Sequence, residues 1–350
     1  MVWIFPGEFY FGSSSMKKAG PHFFMDKDVI LVYPSYRVGT LGFLSTGDDE
    51  SPGNYGLKDQ VAALHWIKEN IQAFGGNCSS ITLLGHSSGA SSAHLHMMSP
   101  LAKGLFHRAI SMEGTAINPW ARSPNPLRQA QKQGDVFNCP TEPSSSLVAC
   151  LREVNAVDLV KSIYHLMEWW ILPGSGFTPV VENKTNQNPN PYITVEPLEL
   201  MRNGEIKNVP WLVGGTNAGT AHGDELFYLF KSPAGIPNPA SNNDLEVRDL
   251  MLSMWTNFAK YGDPTPNNKT ENYLINEMKW FPVRHMTADN LHMNYLNIDQ
   301  VIEVSGLNEY LNVGLGPVKL NMDEDLSEER MAFWDSLPLN ENCIINCDKS

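Results

Sequence analysis

Residues 80–100 read SITLLGHSSGASSAHLHMMSP, and the order of residue types in that stretch decides the fold. Positions 81–84 are a short apolar, β-favouring run, Gly85-His86-Ser87-Ser88-Gly89 is a sharp turn, and an Ala- and Met-rich helical stretch then runs to Pro100. A bare G-x-S-x-G occurs by chance in roughly one chain in ten of this length. The context is what gives it meaning: a strand before and a helix after are what a nucleophile elbow needs, with glycines where neighbouring chains crowd the turn. Ser87 is therefore the candidate nucleophile.

Working outward, 2–5 reads as a strand, with Pro6-Gly7-Glu8-Phe9 a loop beyond its end. The near-continuous apolar run 28–33, ending at Pro34, is expected to be a strand buried on both faces of a parallel sheet. A glycine-punctuated loop follows, and then Leu57, Val61, Leu64, Ile67 and Ile71 recur at helical spacing. After the elbow, 108–112 is a short strand leading to Glu113-Gly114, and 209–214 is another. Strands alternating with helices predict a doubly wound, mostly parallel sheet, with ligands at the carboxyl ends of the strands. Ser87 sits at such an end. Between 125 and 204 the pattern weakens and only 146–166 looks helical, so this stretch reads as an insertion covering the sheet's end. Val247, Leu250, Met251, Met254 and Phe258 mark a helix stopped by Gly262-Asp263-Pro264.

The whole chain narrows the function. A formal charge of −13 argues against a nucleic-acid partner, which calls for a basic face. No apolar run is long enough for a membrane span, and the first residues carry no basic region or cleavage site of a signal peptide. Of the five cysteines, Cys139 and Cys150 bracket a short polar loop that a disulfide could close, and an odd total leaves at least one thiol unpaired. With N-x-T sequons at Asn183 and Asn268, they lean towards an oxidising compartment.

A serine hydroxyl needs a histidine to take its proton, a carboxylate to orient that histidine, and backbone N–H groups for the oxyanion. After an elbow of this kind the order along the chain is serine, acid, histidine. Ten histidines compete, and His222, on a loop ahead of a helical stretch and beyond the last clear strand, stands where a base belongs. The alternative is that it only caps the helix that follows.

Several blocks then become recognisable together. GNYGLKDQ at 53–60, FGGN at 74–77, the elbow, KGLFHRAIS at 103–111, FTPVVE at 177–182 and WTNFAK at 255–260 resemble the type-B carboxylesterase/cholinesterase family, most closely its arthropod carboxylesterases. The resemblance implies a single α/β-hydrolase domain over 1–350 that cleaves small carboxylic esters through an acyl-enzyme, without metal or cofactor, and outside the cell. It maps the nucleophile onto Ser87, the base onto His222 in AHGDEL, oxyanion N–H donors onto Gly7 and Ser88, and a disulfide onto Cys139 and Cys150.

The chain also departs from that family. Its oxyanion loop reads FPGEF where the family has roughly HGGGF, so Pro6 has no N–H to give and Glu8 brings a carboxylate. After PWLVGG the family's acid is missing and the sequence runs directly into the histidine loop, so an acid, a long segment and a sheet strand are expected to be lost. Further strands of the family precede the position of Met1, so the sheet is expected to be incomplete. Glu113 stands where the family has a serine beside the acid, and is the candidate stand-in that reaches the Nδ1 side of His222; Asp224 and Glu225 share the histidine's own loop and are weaker choices. The rival reading is an esterase-like binding protein that keeps an apolar pocket without turnover. Which ester it takes, and its oligomeric state, are not specified by the residues.

Overall fold

The computed structural model describes residues 1–166, 176–215, 221–232, 238–267, 272, 275–276, 279–280, 294–305 and 312–324. They divide into two compact units, residues 1–238 and 239–350.

In the first unit β1 (Val2–Ile4), β2 (Thr82–His86), β3 (Arg108–Met112) and β4 (Trp211–Gly214) form one parallel sheet in the order β1-β2-β3-β4. The helices between strands are α1 (Gly39–Phe43), α2 (Tyr55–Asn70) and α3 (Ser88–Met98) ahead of β3. After β3 come α4 (Pro126–Val136), α5 (Ser144–Glu153), α6 (Ala156–Lys161), α7 (Ile163–Leu166) and α8 (Pro197–Arg202). A short α9 (Leu226–Leu229) follows β4. Every residue of β1 and β2 is buried, as the unbroken apolar runs require of inner parallel strands. All eleven residues of α3 are buried as well, which explains its Ala, Ser and Met content: small and pliable side chains fit where the helix packs against β1, β2 and β3.

Residues 28–33 depart from expectation. They join the sheet through a single parallel bridge, Val2 to Val32, with Asp28 exposed and 29–33 half-buried rather than enclosed on both faces. Their only neighbour in the sheet among the described residues is β1, so one side of the run lacks a covering strand. The stretch 125–204 is more helical than its proline content suggests. Pro126 stands in the first turn of α4, where its missing N–H costs nothing, and the Asn125 side chain accepts from Arg128 N–H. Ala130, Cys139, Leu147, Leu151 and Leu159 form a small core of their own, beside which the Cys139–Cys150 disulfide is closed with Cα atoms 5.7 Å apart.

The second unit holds α10 (Asn242–Tyr261), opened by a reciprocal Ser241/Asp244 capping box and closed by Gly262. Strands β5 (Asn294–Ser305) and β6 (Asn312–Glu324) pair antiparallel, with an irregularity between Gln300 and Ile302. No described helix is long and apolar enough to cross a membrane.

Candidate active site

The elbow between β2 and α3 holds Ser87 at φ 54°, ψ −121°. Non-glycine residues avoid that region, and holding one there costs on the order of 1–3 kcal/mol. The surroundings impose it: Ser87 N–H donates to Met112 O at 2.9 Å, and Ser87 O accepts the first helical bond from Ser91. A Cβ at Gly85 would run into Gly89 O, and one at Gly89 into Ile4 O, so the motif's glycines are demanded by close backbone approach. The second contact sets the start of α3 against the end of β1.

Just past β1, Gly7 is buried and its carbonyl accepts from Tyr10 and Phe11 N–H. Neither Gly7 N–H nor Ser88 N–H, at the first position of α3, has a hydrogen-bond acceptor among the described residues. The main-chain donors are therefore uncommitted, as an oxyanion hole requires.

At the end of β3, Glu113 N–H donates to Gly214 O and φ is 55°, which turns the side chain out of the strand. Its carboxylate is 6% exposed and lies at the centre of a cluster. Oε2 is 2.5 Å from His222 Nδ1, 3.0 Å from His86 Nε2 and 2.7 Å from Gly223 N–H. Glu113 Oε2 accepts from Gly223 N–H and is hydrogen-bonded to His86 Nε2, with His222 Nδ1 at ion-pair distance. The His222 side chain is 59% exposed and stacks obliquely on His86, ring centres 4.6 Å apart. Ser87 Oγ makes no hydrogen bond among the described residues.

His86 Nε2 also lies 3.4 Å from Glu225 Oε1. Its single hydrogen serves the shorter contact with Glu113, so both Glu225 oxygens are buried without a hydrogen bond. Burial, reinforced by the Glu113 charge, pushes the Glu225 carboxyl up to about 7. Burial also holds the His86 imidazole below its ordinary value, the hydrogen bond to Glu113 partly opposing it, so the ring is neutral at pH 7. Asp224 turns elsewhere and accepts from Ala221 N–H.

A model of the carboxylesterase family matches residues 1–219 and again 216–334. The chain belongs to the carboxylesterase family. Among curated carboxylesterase relatives, a juvenile hormone esterase of Tribolium castaneum is 28% identical, covering 98% of this chain and 78% of its own length. A venom carboxylesterase-6 of Apis mellifera is 40% identical over 61% of this chain, and the esterase FE4 of Myzus persicae 45% identical over 52%. The chain spans 38% and 32% of those last two proteins. The alignment to the Tribolium esterase is 472 positions long, more than the 350 residues available, so the relative contains internal residues that this chain lacks. The two family matches meet at 216–219, directly after β4, where the sequence reading puts the lost segment. The structure of 216–220 lies outside the described residues.

Of the residues singled out from sequence, Ser87 directly follows β2, Ser88 opens α3, Glu113 directly follows β3, and His222 lies on the loop before α9. Asn183 is exposed, and Asn268 lies outside the described residues. Sequence reasoning missed His86 as a neighbour of Glu113 and His222. The signal was present, since the residue before an elbow serine ends its strand at the same sheet edge as the residue after β3; Met112 pairs with His86 in register.

Proposed function

We propose that this chain is a serine hydrolase that cleaves carboxylic esters through an acyl-enzyme. The observation that carries the reading is the 2.5 Å approach of Glu113 Oε2 to His222 Nδ1, one strand away from an elbow serine held at φ 54°. With Glu113 on Nδ1, the His222 proton stays on that side and Nε2 is left as the base. The Ser87 proton passes to Nε2 as Oγ bonds to the carbonyl carbon, and Gly7 and Ser88 N–H receive the oxyanion. The imidazolium then returns its proton to the leaving alkoxide, giving acyl-serine and an alcohol. Water attacks the acyl-serine by the same route in reverse, releasing the carboxylic acid. His222 must swing to meet Ser87 Oγ, a tightening that apo sites commonly leave to the substrate complex. Its exposed position leaves room for the swing.

The substrate class is a small carboxylic ester, supported by the family and by the names of its relatives. An extracellular site of action is supported by the Cys139–Cys150 disulfide and an exposed sequon at Asn183. The rival, an ester-binding protein without turnover, draws on Pro6 and Glu8, which replace donors in the oxyanion loop.

The deciding experiment is fluorophosphonate labelling of the folded chain, with the adduct located by mass spectrometry and Ser87→Ala as control. Stoichiometric labelling of Ser87 is expected. A folded sample that stays unlabelled sinks the hydrolase and leaves the binding protein.

A further inference from the structure

The proposed triad uses Glu113 and His222 and gives no role to His86, which meets the same carboxylate oxygen. His86 Nε2, Glu113 Oε2 and His222 Nδ1 all lie within 4.8 Å of one another. We infer that these three side chains form a chelating site for a borderline divalent cation, Zn2+ above all, whose occupation excludes catalysis. A tetrahedral zinc with bonds of about 2.0–2.2 Å needs ligand atoms about 3.3 Å apart. The two contacts to Glu113, at 2.5 and 3.0 Å, open slightly, and the histidine nitrogens close in. Two imidazoles among three donors select zinc-like ions over calcium or magnesium. The exposed side chain of His222 gives the ion an entry path.

Charge favours the ion. Glu113 and the nearby Glu225 place two carboxyls around His86, and both Glu225 oxygens are buried without a partner. A dication beside them carries the opposite charge.

Proton bookkeeping makes metal and turnover exclusive. In the metal-free site the His222 proton sits on Nδ1 against Glu113, and the Nε2 lone pair is free. The ion takes the Nδ1 lone pair, so that proton moves to Nε2 and the ring can no longer accept one from Ser87. On His86 the proton likewise moves from Nε2 to Nδ1, which is buried without a partner. No proton is gained or lost, and that orphaned donor weakens the site.

The binding claim stands on the cluster alone; the claim of inhibition rests on the hydrolase reading. The test uses the full chain stripped by a chelator, titrated with Co2+ as a visible-absorption probe and then with Zn2+ in competition. The expected result is one tetrahedral Co2+ per chain without a thiolate band, and loss of affinity of at least about tenfold in both His86→Ala and His222→Ala. His222 is largely exposed, so its variant reads the site even if His86→Ala fails to fold. Ser87→Ala is expected to bind Co2+ as the parent does. Zn2+ should block fluorophosphonate labelling with the midpoint of the binding curve, and chelator should restore it. Absence of stoichiometric binding, or binding unchanged in both histidine variants, overturns the site. Binding that leaves labelling intact overturns the exclusion. A chain that never labels fails as a hydrolase, yet the Co2+ titration still decides the metal site.

Discussion

On the proposed mechanism the chemistry turns on Glu113, which reaches His222 from a strand end with φ 55°. Replacing it with glutamine keeps the shape but can present an amide N–H to Nδ1, which forces the imidazole proton onto Nε2 and removes the base. Glu113→Gln should therefore slow fluorophosphonate labelling by up to about ten thousandfold, as loss of the orienting acid does in serine hydrolases generally. Labelling at the parental rate removes Glu113 from the mechanism. The elbow motif picked out Ser87 as a candidate in the sequence, whereas chain order left His222 open between base and helix cap and only the family resemblance chose it. The closeness of His86 to Glu113 is encoded only through the register of two parallel strands, which local patterns do not state.

At the scale of elements, α3 shows why burial of polar residues has consequences beyond packing. His94 stacks on Trp211 at 4.2 Å and its Nδ1 accepts from Ala116 N–H. His96 lies between Gln60 Oε1 and the Tyr192 hydroxyl. Burial pushes His94 down to about 4 and His96 to about 3, the latter with help from the Lys207 charge. As pH falls below about 6.5 the unfolded chain takes up these protons and the folded chain does not, so stability is lost from pH 6.5 down towards 4 and 3. For His94 the loss is on the order of 3 kcal/mol. His94→Asn keeps an acceptor for Ala116 and should flatten the acid side of a plot of Tm against pH; an unaltered slope excludes His94 as its source. Removing the disulfide by Cys139→Ser with Cys150→Ser should cost roughly 3 kcal/mol, the loop entropy of a bridge spanning 11 positions, read by urea denaturation. Less than about 1 kcal/mol would mean that the small helical core around Leu147 holds the loop unaided.

The same scale shows what the sequence reading of elements used and lacked. Helices α2 and α10 carry helical periodicity, and the elbow carries its motif between a strand and a helix. Helix α4 was missed because the weak pattern across 125–204 drew attention away from Pro126, which at the first turn marks a helix start. The run 28–33 was taken for a fully enclosed strand, since apolar composition does not say whether a second neighbour exists.

For the molecule as a whole, the lost segment has a structural counterpart. Among the described residues β4 pairs with β3 alone, and its end, where the family matches meet, carries Val213 at 45% exposed and an exposed Gly214. An apolar parallel strand normally gains a second neighbour or a cover; an uncovered edge offers its N–H and C=O groups to another chain. Lysine at that position lets the strand keep its pairing with β3 while placing a charge at the edge, a device by which sheets resist edge-to-edge association. Val213→Lys should thus change folding stability by no more than about 0.5 kcal/mol and slow temperature-induced light scattering. If scattering proceeds at the parental rate while unfolding is unchanged, the β4 edge is not where chains join.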